Sequence, residues 1–244
     1  MIFAAGLGTR MKPLTENRPK ALIEISGKTL LERTIAYLKG YGISDVTVNV
    51  HHFAGQIKDF LQQHHDFDIA VHLSDESSQL LDTGGGILKA ASFLRGHEPI
   101  VIINTDILTN LNLNELDRCH RESGALASLV VRQRQTSRYL LFDRKNQLSG
   151  WKNASSGEIR ISRPESISET VPMAFSGIHL IQPELLSLIH ESGKFSIIDL
   201  YLRLSATEKI LAFKDAESIW MDLGKYEEIN EAEEMIRQME SGQQ

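Results

Sequence analysis

The sequence is poor in several things, and each lack removes a class of protein. Its 244 residues hold one cysteine, Cys119, so no internal disulfide staples the fold, and a reducing, cytoplasmic setting is expected. No apolar run approaches the roughly 20 residues that span a bilayer, and the first residues lack the order of a signal peptide. Neither membrane insertion nor membrane binding is expected. Lys and Arg number 26 against 32 Asp and Glu, a formal net charge of −6, which argues against the broad basic face of a nucleic-acid binder. Repeats and low-complexity tracts are missing, and only "ESGQQ" at the end reads as frayed. The paired histidines, His51-His52 and His64-His65, lack ligand spacing with other donors and read as strand-end and helix-end surface residues. The rest is ordinary for a globular chain: 41% apolar and 24% charged residues, long enough to bury a core.

Hydrophobic periodicity alternates strands at 2–5, 46–50, 69–73, 99–104 and 125–131 with helices at 30–41, 53–62, 86–94 and 113–123. Such a series predicts an α/β fold, a mostly parallel sheet covered by helices on both faces. After Arg132 the texture changes to "RYLLFD", "LSGWKN" and "GEIRISR", which read as antiparallel hairpin strands. This is an elaboration within one unit over 1–240. "MAFSGIHLI" then reads as a strand, followed by helices at 183–192 and 197–205 and strands near 209–213 and 219–221. A closing helix at about 225–239 places Tyr226, Ile229, Ala232, Met235, Ile236 and Met239 on one face. The first strand is short against the usual five or six residues, so either it takes in Ala4 and Ala5 or the true start lies upstream.

The opening stretch, "MIFAAGLGTRMKPLTENRPKAL", concentrates Arg10, Lys12, Arg18 and Lys20 against Glu16 in an otherwise acidic protein. A dinucleotide fingerprint is excluded, because Met11 stands where a third glycine belongs after Gly6 and Gly8. "ISGKTLLE" is not a P-loop, since Leu22 occupies the place of its first glycine; Thr29 and Glu32 read instead as a helix capping box. The remaining reading is a loop over Ala5, Gly6, Leu7, Gly8 and Thr9 whose backbone N–H groups wrap a phosphate chain beside Arg10 and Lys20. A plain turn with solvated basic residues is the alternative that the loop alone leaves open.

Two carboxylates favour the phosphate reading. Asp106 follows the buried strand "PIVIIN", and Asp222, in "SIWMDLGKY", caps a short apolar strand, so both belong at the ligand-binding edge of an open sheet. Together they suit Mg²⁺, a hard cation that keeps waters and bridges phosphates; singly, each reads equally as a cap or turn residue. In "LLDTGGGILKA", Asp82, Thr83, Gly84 and Gly85 bring backbone close to a flat ligand ahead of a helix, or simply make a flexible turn.

"GLGTRMKPLTENRPK", "DTGGGILKA", "NTDIL", "AFSGIHLI" and "WMDLGKYEEINEAE", in this order, resemble successive motifs of the sugar-1-phosphate nucleotidylyltransferases, and they span nearly the whole chain. Within that family the likeness is greatest to short members that join UTP to N-acetylmuramate 1-phosphate, and next to guanylyltransferases acting on heptose or mannose 1-phosphate. The resemblance implies a Rossmann-like catalytic domain with a nucleotide-binding half (1–132) and a sugar-phosphate-binding half (133–240), acting as monomer or homodimer. It implies that residues 5–9 wrap the triphosphate, Arg10 holds the departing phosphates, and Lys20 faces the α-phosphate. Asp106 and Asp222 would ligate Mg²⁺, and Gly84 and Gly85 would lie against the base. Asn104, Lys152, Ser176 and Gly177 fall at positions for the sugar phosphate, with Arg163 as an alternative to Lys152. The family's usual Glu-Lys pair is absent from "SGWKNASSGEIR", and Ser176 stands where an asparagine is frequent. A nucleotide-sugar-binding module without turnover is the competing reading, and the presence of Arg10, Lys20, Asp106 and Asp222 weighs against it.

Overall fold

The structure, a computed structural model, describes residues 1–241, with the side chains of Ile167 and Ser168 left out. Residues 242–244 of the expected frayed end lie outside the described part. The first half runs β1 (Ile2–Phe3), β2 (Glu24–Ile25), β3 (Lys28–Thr29), α1 (Leu30–Gly40), β4 (Asp45–Val50), α2 (Ala54–Gln63) and β5 (Ala70–Asp75). It continues with α3 (Asp82–Ala90), β6 (Ile100–Asn104), β7 (Ile107–Thr109), α4 (Leu113–Ser123) and β8 (Ala127–Arg132). The second half comprises β9 (Arg138–Phe142), β10 (Leu148–Asn153), β11 (Ile159–Ile161), β12 (Val171–Ile181), α5 (Ile197–Leu204), β13 (Ile210–Lys214), β14 (Trp220–Asp222) and α6 (Ile229–Ser241).

Ten strands form one mixed sheet in the order β11-β10-β9-β12-β6-β1-β4-β5, with β8 on β12 and β13 on β8. The run β6-β1-β4-β5 is parallel, as the alternation of strands and helices requires. β12 turns the sheet antiparallel. At 11 residues it is long enough to pair with β6, β8 and β9 at once, so the antiparallel share exceeds the small elaboration expected. Successive residues of the central strands face opposite sides: Ile102 and Leu129 enter one apolar layer with Phe142, Leu200 and Tyr201, while Ile103 and Val130 enter the other with Leu31, Val48 and Leu116.

Local chemistry sets the helix ends. The Thr29 hydroxyl accepts from the Glu32 amide at 3.1 Å, the cap read from the sequence, and buried Leu31, Ile35 and Leu38 form the inner stripe of α1. Four expectations move. α3 begins at Asp82 with the glycines inside it, because the Gly84 and Gly85 amides donate to the Phe195 carbonyl at 2.9 and 3.2 Å. The stretch 183–192 is a 3-10 run over Pro183–Leu188, its last carbonyl taken by Arg203 Nη2 at 2.7 Å. The strand expected at 219–221 is shifted by one, so Asp222 closes β14. α6 starts at Ile229 after a single turn, and Tyr226 is exposed, off the apolar face.

Candidate active site

The carboxyl ends of β1, β4 and β6 open into a cleft of about 380 Å³, at the edge where open α/β sheets place ligands. Its lining includes Ala5 and Gly6 on one side, Asp82 and Thr83 on the other, and Lys20, Asn104 and Asp106 at the centre. Gly8 has φ +61°, and a Cβ there would come within 3.0 Å of Thr15 and 3.1 Å of Lys20, so the position needs glycine twice over. Thr15 donates its hydroxyl to the Gly8 carbonyl at 2.9 Å. Met11, the residue that ruled out a dinucleotide loop, is fully buried against Leu30, Leu223 and Ile236 and anchors the loop to the core. Leu7, Thr9 and Arg10 stay exposed.

Lys20 lies at the start of a single 3-10 turn, Lys20–Leu22, which points its nearly buried side chain inward, and Nζ donates to Asp106 Oδ2 at 2.5 Å. Asp106 Oδ1 is buried and has no partner among the described residues. β14 pairs antiparallel with β7, setting Asp222 opposite Ile107, and the Leu223 amide donates to the Asp106 carbonyl at 3.0 Å. The two carboxylates therefore share one edge. Loss of solvent around the Asp222 carboxyl, and after it the neighbouring Asp106 charge, push its pKa above the usual range; Lys20, Arg10 and Arg134 pull the other way. The Arg10 guanidinium rests over Gly224, where a Cβ would be 3.3 Å from Nη2.

These residues fit a cation. An unsatisfied buried carboxylate oxygen beside a second carboxylate is unfavourable until positive charge arrives. Among the described residues no group of three or more His, Cys, Asp or Glu is placed to hold a metal ion. Two carboxylates alone suit an ion that takes its other ligands from water and phosphate, as Mg²⁺ does.

The other expected residues divide. Gly177, at φ +75°, passes so close to Asn104 that a Cβ would stand 3.0 Å from Asn104 Nδ2. Ser176 is fully buried, its hydroxyl without a partner among the described residues, its carbonyl accepting from Trp220 Nε1 at 2.9 Å; it does not line the cleft. Lys152 is exposed on β10 opposite Tyr139, also outside the lining. Arg163 is engaged by Glu165 at 3.0 Å and Asp143 at 3.5 Å. Gly84 and Gly85, expected against the base, are buried in α3 and are not among the lining residues. A Cβ at Gly84 would lie 2.3 Å from the Phe195 ring, and one at Gly85 2.3 Å from the Gly193 carbonyl. Their smallness admits the chain's own 193–195 segment.

Asn49, Glu76 and Lys194 also line the cleft, and sequence reasoning missed them. The Ala4 amide donates to Asn49 Oδ1 at 2.7 Å, Asn49 Nδ2 to Glu76 Oε1 at 2.8 Å, and the Leu81 amide to Glu76 Oε2 at 3.0 Å. This network ties the end of β1 to the loop before α3, with Glu76 fully buried. Its one signal in the sequence is an asparagine inside the β-branched run "VTVNV".

A family model described as nucleotidyl transferase matches residues 1–160. The chain is 31% identical over 231 residues to the N-acetylmuramate alpha-1-phosphate uridylyltransferase of Caulobacter vibrioides, covering 92% of this chain and 90% of that one. The chain belongs to the nucleotidyl transferase family. It is an enzyme of the sugar-1-phosphate nucleotidylyltransferase class, as the motifs implied. The protein of the same name from Neisseria meningitidis is 27% identical, with 96% of each chain covered. HddC from Yersinia pseudotuberculosis, solved with GMP-PN, shares the fold with a TM-score of 0.74 at 22% identity, covering 96% of this chain and 97% of that one. Among the described residues no helix is long and apolar enough to cross a membrane.

Proposed function

We propose that the enzyme transfers the uridine monophosphate part of UTP to N-acetylmuramate 1-phosphate, releasing pyrophosphate, in the cytoplasm and in the reuse of cell-wall sugar. The observation that carries the transfer is the edge formed by Lys20, Asp106 and Asp222, with one Asp106 oxygen unsatisfied. The two uridylyltransferase relatives, matched over nearly their whole length, support the choice of base and sugar.

In this reading an oxygen of the acceptor phosphate attacks the α-phosphorus in line, and the bond from that phosphorus to the bridging oxygen breaks. The leaving group is pyrophosphate. The nucleophile is already anionic, so the protein supplies position and charge. The loop at Gly6 and Gly8 holds the triphosphate with aimed N–H groups, and Arg10 holds the departing phosphates. Lys20 gives one of its three N–H donors to Asp106 and keeps two for the α-phosphate. Asp106 and Asp222 would hold Mg²⁺, which neutralises charge on both reacting phosphates. Residues 1–132 bind the nucleotide and 133–240 receive the sugar phosphate, in a monomer or homodimer.

A matrix of four triphosphates against N-acetylmuramate, glucose, mannose and heptose 1-phosphates, read by pyrophosphate release, tests this. UTP with N-acetylmuramate 1-phosphate should give the highest kcat/KM. A maximum for GTP with mannose or heptose 1-phosphate would replace the substrate assignment, and silence across the panel would leave a holding module.

A further inference from the structure

The acceptor phosphate needs a cation that the nucleotide side does not supply. Lys20 is engaged with Asp106 and Arg10 rests over Gly224. A second phosphate, carrying about −1.5 to −2 charges, must come beside Asp106 and Asp222, where unbalanced negative charge is unfavourable.

β8 leads into "RQRQTSRY", and two arginines of that segment lie on one ring. The Trp220 ring is fixed by its Nε1 bond to the Ser176 carbonyl. Arg132 Cζ stands 5.7 Å from its centroid, but Arg132 is committed: Nη2 donates to the Ser218 carbonyl at 2.7 Å, and Nη1 is 3.7 Å from Asp215. Arg134 Cζ stands closer, at 4.6 Å. Its Nη2 donates to the Phe175 carbonyl at 3.1 Å and its Nη1 reaches the Gln135 carbonyl at 3.5 Å, while its Nε is buried with no partner among the described residues. Among the described residues no ion pair includes Arg134, whereas Arg132, Arg160 and Arg163 are all paired. Trp220 and Asp222 are two apart on β14, so their side chains share a face. Arg134 thus stacks on the ring that shares a strand face with Asp222; burial lowers its pKa, and the Asp222 charge is the strongest influence opposing that. The buried, unpartnered Ser176 hydroxyl sits next in sequence to the carbonyl that holds Arg134.

A stacked guanidinium keeps its fork pre-oriented and retains free N–H donors for a planar pair of anionic oxygens. The geometry points to Arg134, held flat on Trp220, as the residue that takes the phosphate of the sugar 1-phosphate. This rests on the proposed reaction for the identity of the ligand. It assigns Trp220 a positioning role and leaves Lys152 at the outer rim.

The test uses the full chain with Arg134→Gln and Arg134→Lys. For Arg134→Gln, KM for N-acetylmuramate 1-phosphate should rise about 10–100-fold, the loss of one or two charge-assisted hydrogen bonds, while KM for UTP stays within about twofold. Arg134→Lys should recover part of the loss. A second reading needs no turnover. The chain has two tryptophans, so Trp151→Phe leaves Trp220 as sole emitter, and its fluorescence should change saturably with N-acetylmuramate 1-phosphate or glucose 1-phosphate and not do so when Arg134→Gln is added. Turnover with an unchanged sugar-phosphate KM in Arg134→Gln overturns this assignment alone, as does a parallel rise of both KM values. Saturable, Arg134-dependent emission without pyrophosphate release would uphold the phosphate receptor and refute the proposed reaction. Absence of both signals refutes both.

Discussion

On the β1 side of the cleft the proposed anion site is backbone: Gly8 holds a left-handed φ where Thr15 and Lys20 leave no room for a Cβ, and Lys20 is already paired with Asp106. On the β12 side the proposed acceptor contact is a side chain laid on aromatic surface, Arg134 over Trp220 at 4.6 Å. Backbone donors suit a triphosphate, which presents the same oxygens whatever the base. Side chains on a replaceable extension suit an acceptor that differs between relatives. In the proposed reading the two substrates are held by different physical means, and each means should fail in its own way when mutated.

The largest effect should come from Lys20→Ala, about 10²–10³ lower kcat with the thermal midpoint followed alongside, since it removes a positioned cation and leaves Asp106 unpaired. An equal kcat would break the comparison at its nucleotide side. Gly84→Ala should destabilise by up to about 3 kcal/mol, because its Cβ meets the Phe195 ring at 2.3 Å; thermal unfolding reads this as a drop of roughly 6–12 °C. A smaller effect tests β12, the strand that joins the two sides. Burial lowers the His179 pKa from 6.5 to about 3. The unfolded chain therefore binds the proton first, and stability that is full above pH 6.5 is lost as pH falls toward 3. Between pH 6.5 and 5 the parent should lose about 1.6 kcal/mol more than His179→Gln in parallel unfolding titrations. Lys152→Ala should change KM for the sugar phosphate least, by under about threefold, as expected of an exposed charge. A larger change there than at Arg134 would move the acceptor site outward.

What the sequence revealed follows the same division. Gly8 and Asp106 were legible because a turn that needs glycine and a polar residue ending an apolar strand leave local marks. The link between Lys20 and Asp106 joins positions 86 apart, and no local pattern encodes it. The glycine run reads locally as a flexible turn, and nothing local shows that Gly84 and Gly85 also leave room for Phe195 and the Gly193 carbonyl, more than a hundred residues away. Glu76 and Arg134 left no periodic mark at all: their importance comes from the groups that do, or do not, partner them. The order of the parallel strands and their helices was readable, while the short strands β2, β3 and β7 and the reach of β12 across three neighbours were not.

The most direct test follows the phosphorus itself. With UTP, N-acetylmuramate 1-phosphate and Mg²⁺ supplied together, phosphorus NMR should show the α-phosphorus of UTP passing into a new diphosphate ester in step with free pyrophosphate, and nothing when the sugar phosphate is left out. Formation of uridine monophosphate and pyrophosphate without the sugar phosphate, or an unchanged spectrum with all three present, would contradict a transfer site at Lys20, Asp106 and Asp222.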